Sequence, residues 1–534
     1  MRNCFKYIAV LTLGMVACEP ELENPIDEQD YYGTGEADFS NYVALGNSLT
    51  AGYADGALYL SGQRNSYPNI LAQQFAVVQD INEFRQPLVN DNAGGLLAIG
   101  EPIPGFGNRL VLAFDEEGEP SPQVYTGARA TTEVSNVLEG SFNNMGVPGA
   151  KSFHLLNAGY GSLTGLANMP ATANPYFVRF ASSPQATVLE DALAQDPSFF
   201  TLWIGNNDVL GYATSGGTGV NQTGSGVSPA AYGMNDITDP MVFTGAYIQM
   251  VEALAGNVSG GVLLNIPDVT TVPYFTTVPY APLSPEDPDF GPQIPTLNTT
   301  FSGLNQAFQF LQVPERMINF SETAASPVMI KDESLPDLSQ QITKVLTESG
   351  AVDAATAALY GLQFGQVRQA TAEDLLVLTS SGIIGNVNQQ RLQELMNFGL
   401  DQETAARLSV NGVTYPLQDQ YVLIPEEQQE VEAATAAYNE AIANAASQFD
   451  LGLVDVNALL TQLANDGIPF DAGIINADFV TGGAFSLDGI HLTPRGYAVI
   501  ANNIIEEINA TYSSEVPKVN PGNYATVTLS QDVE

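Results

Sequence analysis

Short, almost wholly apolar runs recur along the chain, each stopped by Gly, Asn or Pro. Runs of about four to eight apolar residues bounded by turn residues suit strands buried on both faces. The first is Val43-Ala44-Leu45, which ends at Gly46 ahead of Asn47 and Ser48, with a Gly52 turn beyond. Residues 199–204 (FFTLWI), 261–266 (GVLLNI) and 451–456 (LGLVDV) repeat the pattern. Residues 143–150 (NNMGVPGA) read as a strand end and a turn into a helix that begins near Lys151. Helical spacing falls between these runs, over Tyr67–Val78, up to a stop within 191–197, over 241–254 and over 426–449. In the last of these Val431, Ala434, Tyr438, Ile442, Ala445 and Phe449 line one face, and a final helix runs to about Ile508. Strands alternating with helices predict an α/β protein, a central parallel sheet in three α/β/α layers. Ligands in such sheets bind at the carboxyl ends of the strands, which is where Ser48 falls.

Two stretches break the pattern. Residues 56–140 are rich in Gly, Asn and Pro, with loops and short strands expected over 96–125, and 216–226 is a Gly/Ser/Thr loop. Residues 271–295 are dense in Pro and aromatics. Helical spacing follows in Phe301, Leu304, Phe308 and Leu311, in Leu338, Ile342, Val345 and Leu346, and over 391–408. The alternating frame closes without 271–423, so this segment is expected to be a helical, Pro-rich insertion in a domain spanning 41–511. It begins directly after a strand's carboxyl end, and is either a cap that sets substrate choice or a structural addition packed elsewhere. Residues 512–534 are expected to form an extended tail.

Charge narrows the partners. With 16 basic and 59 acidic residues the formal net charge is −43, which repels phosphate backbones and disfavours docking on anionic lipid. Nucleic acid is therefore not an expected partner, and the acidity suits solubility or a salty environment. A content of 45% hydrophobic and only 14% charged residues allows a large core.

The first residues read as a targeting segment. Arg2 and Lys6 precede an apolar stretch too short to span a bilayer, and Met15-Val16-Ala17 leads into Cys18. This resembles the lipobox of bacterial lipoproteins, with Met15 where leucine is usual, and implies a leader over 1–17, lipidation of Cys18 and membrane association through that anchor. An ordinary secretory signal cut nearby is the other reading. Cys4 would leave with the leader, so no disulfide is expected. Residues 18–40 read as an acidic flexible tether, and acids directly after Cys18 resemble the surface-export signals of Bacteroidetes lipoproteins.

Few residues are available for acid–base chemistry. The chain has two histidines, His154 and His491, with no HExxH, no paired cysteines and no GxSxG. A zinc site and the usual α/β-hydrolase elbow are thereby disfavoured, and no metal or organic cofactor is expected. A serine nucleophile needs a base, and the base needs an orienting carboxylate. Asp488-Gly489-Ile490-His491 offers both in one short loop, where the carboxylate can reach one ring nitrogen while the other faces outward. His154 reads as an ordinary helix residue.

Gly46-Asn47-Ser48-Leu49, Gly146, Gly205-Asn206-Asn207-Asp208 and Asp488-Gly489-Ile490-His491 resemble, in order, the four blocks of the SGNH (GDSL-like) hydrolases. The resemblance covers the frame and not the insertion. It implies a flavodoxin-like architecture and hydrolysis of carboxylic esters through an acyl-serine. Ser48 would be the nucleophile, His491 the base and then acid, and Asp488 the residue that orients His491. The oxyanion hole would combine the N–H groups of Ser48 and Gly146 with the side-chain amide of Asn207. Asn47 departs from the family's usual aspartate, which is not a triad member, and Asp208 would be structural. An acyl ester and an acetylated glycan both remain open as substrate, and a non-enzymatic surface-binding protein on the same fold is the rival class.

Overall fold

The computed structural model describes residues 32–533 apart from 115–117, 119, 257 and 351. The expected leader, Cys18 and residues 18–31 of the expected tether lie outside the described residues.

Five parallel strands form the central sheet: β1 (Tyr42–Gly46), β2 (Asn144–Gly146), β3 (Phe199–Trp203), β4 (Gly260–Leu264) and β5 (Gly452–Val454). Their spatial order is β5-β4-β3-β1-β2. The chain leaves β1 for β2 on one side, then crosses back to β3 on the other, so the connections diverge between β1 and β3. That divergence opens a crevice at the carboxyl ends of these two strands. Gly46 lies level with both Gly146 and Trp203, so the three strands end together at its floor.

Every residue of β1, β3 and β4 is buried, so both faces of the sheet are covered. The covering helices fall into two groups. Short α1 (Ser48–Ala51) follows β1, and α2 (Tyr67–Val78) packs on the last long helix, Pro494–Tyr512. Helix α5 (Pro425–Gln448) packs on both α3 (Asn207–Thr214) and α4 (Pro240–Ala255). The last helix is α6 hereafter. The arrangement is α/β with a central parallel sheet, compatible with three layers. No helix among the described residues is long and apolar enough to cross a membrane.

The folded unit is wider than residues 41–511. Phe39 is fully buried, stacked on Phe75 at 4.1 Å and edge-on to Phe199 at 5.0 Å, so the end of the expected tether belongs to the core. Burying such a ring stabilises by about 1.5–3 kcal/mol. The expected extended tail is also anchored. Tyr512 Oη bonds both the N–H and the carbonyl of Gly261, and the N–H groups of Val516 and Val519 donate to Asn509 and Asn502 of α6. The tail ends in two short turns, Pro521–Asn523 and Ser530–Asp532.

Between β4 and α5 lies a second core, built on Phe301, Leu304, Phe308, Ile330, Ile342 and Phe364. Helices Ile294–Phe310, Ser339–Ser349 and Ala354–Phe364 surround it. The single helix expected over 391–408 is two, Gln389–Asn397 and Gln402–Arg407. Gly399 at φ +95° ends the first, and Asp401 caps the second by accepting the Thr404 N–H at 3.0 Å. At the root of the insertion Val272, Phe275, Val377 and Leu423 join the main core.

Candidate active site

Ser48 is the first residue of α1, set at the carboxyl end of β1. Asn47 caps that helix, its Oδ1 accepting the Leu49 N–H at 3.0 Å, while its Nδ2 donates to Asn206 Oδ1 at 3.1 Å. The second bond ties the ends of β1 and β3 together, and an aspartate could not donate it. As the first helical residue, Ser48 keeps a backbone N–H with no partner inside the helix.

His491 reaches Ser48 from the opposite end of the chain. Its Nε2 lies 2.9 Å from Ser48 Oγ, and its Nδ1 lies 2.8 Å from Asp488 Oδ2. Asp488 also accepts N–H bonds from Gly56 at 2.9 Å, Ile490 at 2.9 Å and His491 at 2.8 Å, and the Ser486 hydroxyl at 3.1 Å. Burial opposes ionisation of this carboxyl, but His491 and the N–H donors outweigh it and hold Asp488 well below the usual carboxylate range. An ionised Asp488 is an acceptor only, so Nδ1 carries the proton and Nε2 faces the Ser48 hydroxyl as an acceptor. The loop needs its glycine, because Gly489 sits at φ +73° and a Cβ there would lie 3.0 Å from the Tyr274 nitrogen. The Tyr53 ring packs against the imidazole at 4.7 Å between centroids.

The expected oxyanion donors are not all available. Asn207, first in α3, donates one amide hydrogen to the Ala150 carbonyl at 2.9 Å, has a second to spare, and lines the same pocket as Ser48. Gly146 does not serve. Its N–H donates to Asn144 Oδ1 at 3.0 Å, and its Cα is pressed against α1, where a Cβ would lie 2.3 Å from the Ala51 nitrogen. Three residues on, the Gly149 N–H has no acceptor among the described residues. Val147–Ala150 is a turn closed by Ala150 N–H to Val147 O at 3.1 Å, with Pro148 second and Gly149 third at φ +80°. This is the type II pattern, which demands a glycine-like backbone at that position. The turn is fastened to Gly46 O through the Val147 N–H at 3.0 Å and to Asn207 through Ala150. It is thus tied to the end of β1 and the start of α3, and Pro148 before Gly149 is the sequence signal that marks it.

Two other residues have structural roles. Asp208 is fully buried and accepts both the N–H and the hydroxyl of Ser152 at 2.8 Å, fastening Ser152–Leu156, where the helix expected near Lys151 takes the form of a short 3₁₀ turn capped by Lys151. His154 lies in that turn, stacked on Tyr160, where burial and Lys151 push it down to about 4.

Beside Ser48 opens an apolar pocket that is continuous with solvent. Apart from Ser48, Asn206, Asn207 and His491 its walls are apolar, with Trp203, Leu210, Val269, Val272, Leu460 and Phe485 among them. The one acidic group of metal-like spacing found among the described residues is Glu333, Asp419 and Glu427, and none of the three lines this pocket. Chemically, the arrangement offers a hydroxyl whose proton can pass to a neutral imidazole braced by a carboxylate, with unpaired N–H groups and an apolar cavity alongside.

Comparison of the chain with family models, curated proteins and solved structures yields no match.

Proposed function

We propose that the protein is a serine hydrolase of the SGNH type that cleaves carboxylic esters through an acyl-Ser48 intermediate. The observation that carries this reading is the hydrogen-bond chain Ser48–His491–Asp488, at 2.9 and 2.8 Å, assembled at the crevice between β1 and β3. The doubly wound strand order of the sheet supports the flavodoxin-like variant of the fold.

Ser48 Oγ attacks the ester carbonyl as its proton passes to His491 Nε2, and Asp488 stabilises the imidazolium. The carbonyl oxygen becomes anionic and is met by the N–H groups of Ser48 and Gly149 and the Asn207 amide. Collapse breaks the bond to the leaving alcohol, which takes the proton from His491. Water then attacks the acyl-serine, gives its proton to His491, and the carboxylic acid departs as Ser48 recovers its hydrogen. The apolar pocket beside Ser48 supports an acyl chain longer than acetyl, because an acetyl group would leave most of its walls uncovered. Export and anchoring through a lipidated Cys18 belong to the same proposal and rest on the sequence of the leader.

A fluorophosphonate probe and a series of nitrophenyl esters of rising chain length test the reading. Labelling is expected at Ser48 and lost on His491→Ala, while Ser48→Ala lowers kcat by at least about 10⁴-fold. Hydrolysis that survives Ser48→Ala, or labelling at another serine, would overturn the assignment.

A further inference from the structure

A second acid stands behind the Asp488–His491 loop. Asp55 is 3% exposed and holds a left-handed backbone at φ +53° in the turn that follows α1. Its Oδ1 accepts the Leu487 N–H at 3.0 Å, and its own N–H donates to Ser486 Oγ at 2.8 Å. Ser486 Oγ in turn donates to Asp488 Oδ1 at 3.1 Å, while the next N–H, that of Gly56, donates to Asp488 Oδ2 at 2.9 Å. Residues 55 and 56 thus grip residues 486–488 at three points from a part of the chain more than 400 positions away.

The grip has its own anchor. Asp55 Oδ2 accepts Arg109 Nη2 at 2.9 Å and the Tyr59 hydroxyl at 2.9 Å, and the guanidinium lies over the Tyr59 ring at 3.8 Å. Arg109 is buried as deeply as its partner, and the Leu110 N–H bonds the Asp55 carbonyl at 2.7 Å. A buried carboxylate near Asp488 would be costly without a counter-charge, and Arg109 supplies it. The side chain spends one oxygen on the cation and the other on the backbone beside Asp488.

We propose that Asp55, held by Arg109, is a positioning residue that sets the 486–491 loop and so the distance of His491 from Ser48. This rests on the hydrolase reading above. Asp55 touches no reacting atom and acts through Leu487, Ser486 and Asp488. Displacement of such a loop by about 1 Å costs on the order of 10²-fold in turnover.

The test removes the pair without stranding a charge. Asp55→Gly combined with Arg109→Met keeps a residue suited to the left-handed backbone and leaves no lone buried ion. Ser486→Ala, which deletes only the hydroxyl relay, is the gentler second variant. Both are measured as kcat per fluorophosphonate-titrated site, with KM alongside, and by the ¹H resonance of the His491 Nδ1 proton. The double variant should lose about 10-fold or more in kcat per site, with KM little changed and the resonance shifted. Ser486→Ala should follow it with a smaller loss. Unchanged kcat per site and an unmoved resonance in both variants would overturn the proposal, because a merely structural pair lowers the number of active sites and not their turnover. If the unaltered protein neither hydrolyses esters nor takes the probe, the hydrolase reading fails, and the resonance alone then decides the role of Asp55.

Discussion

The frame and the insertion are both folded bodies with cores of their own, yet they are built on opposite plans. In the frame, long-range parallel pairing joins segments far apart in the chain, and Ser48, Asn206, Asn207 and His491 meet at one crevice. In the insertion, helices and two-stranded antiparallel pairs such as Met329–Lys331 with Val367–Gln369 connect near neighbours. Its strongest polar cluster, Arg368 with Asp332 at 2.6 Å and Asp374 at 2.6 Å, braces only the insertion. None of Ser48, Asn207, Asp488 and His491 comes from it. The bodies meet at the root, where the Tyr274 N–H donates to Gly489 O at 3.0 Å and Tyr274 Oη to Thr214 O at 3.3 Å. The proposed chemistry therefore belongs to the frame, and the insertion reaches it from the root, through Tyr274 behind the Asp488–His491 loop and Val272 in the pocket wall.

The sharpest break in that comparison is Asp488→Asn. An amide would favour the wrong imidazole tautomer, and kcat is expected to fall about 10⁴-fold while the insertion stays folded. The pH profile gives the same division. Because the Asp488 carboxyl is depressed in the folded protein, it stays ionised as pH falls through the ordinary carboxylate range, while its stabilising contribution, full above that range, declines progressively from there down to the lower pH at which the folded carboxyl itself takes up a proton. Acidification through that range therefore leaves the Asp488 brace charged, and His491 acts as the base through a neutral Nε2. Asn207→Ala comes next. Losing one oxyanion donor should lower kcat by about 10²–10³-fold with little change in KM, whereas a change in KM alone would make Asn207 a binding residue.

Inside the insertion the expected effect is on stability. Arg368→Ala leaves Asp332 and Asp374 buried without their cation, a cost of about 3–5 kcal/mol, so the insertion should melt earlier. Turnover measured below that melting point should match the unaltered protein. A large drop in kcat would mean that the insertion holds the catalytic loop more tightly than the Tyr274 contacts imply. Substrate choice divides in the same way. Of residues 271–423 only Val272 lines the pocket, so its walls come from the frame and the insertion adds one residue at its root.

Much of this was legible because buried parallel strands leave continuous apolar runs. Residues 43–45, 199–204 and 261–266 could be read directly, and the Asp488–His491 spacing places acid and base on one turn. What escaped has physical causes. Phe39 is a single aromatic in an acidic stretch, and nothing local tells a buried ring from an exposed one. In NMGVPG the Pro148-Gly149 turn was legible, but only the register shows that Gly146 lies inside β2 with its N–H already taken. The break at Gly399 was hidden by apolar spacing that continues on either side. Asp55 was invisible because its partners lie 431 and 432 positions away, and only the closed fold brings them together.

The smallest expected effect lies at the seam between the two bodies. Glu427, in the first turn of α5, meets Glu333 and Asp419 of the insertion. Its Oε2 accepts the Ile424 N–H at 2.9 Å, and a Cβ on Gly217 would lie 1.9 Å from its Oε1, so the carboxyl is wedged against backbone. Glu430 stands one turn on, bonded to Tyr212 Oη at 2.7 Å, and Lys331 faces Asp419. Burial, opposed by the Ile424 N–H and reinforced by Asp419, Glu333 and Glu430, pushes Glu427 up to about 8, and burial with Glu333 raises Asp419 as well. The folded chain thus binds more protons here than the unfolded chain between the ordinary carboxylate range and about pH 8. Stability from this seam is fully present below that range, declines as pH rises through it, and levels off above about pH 8. Glu427→Gln keeps an oxygen for the Ile424 N–H and cannot ionise. Its denaturation midpoint should therefore gain on that of the unaltered protein as pH rises from about 5 to 9, while kcat per titrated site stays the same. Parallel midpoint curves would show that the acids share no seam-wide proton, and a change in kcat would show that the seam reaches Ser48.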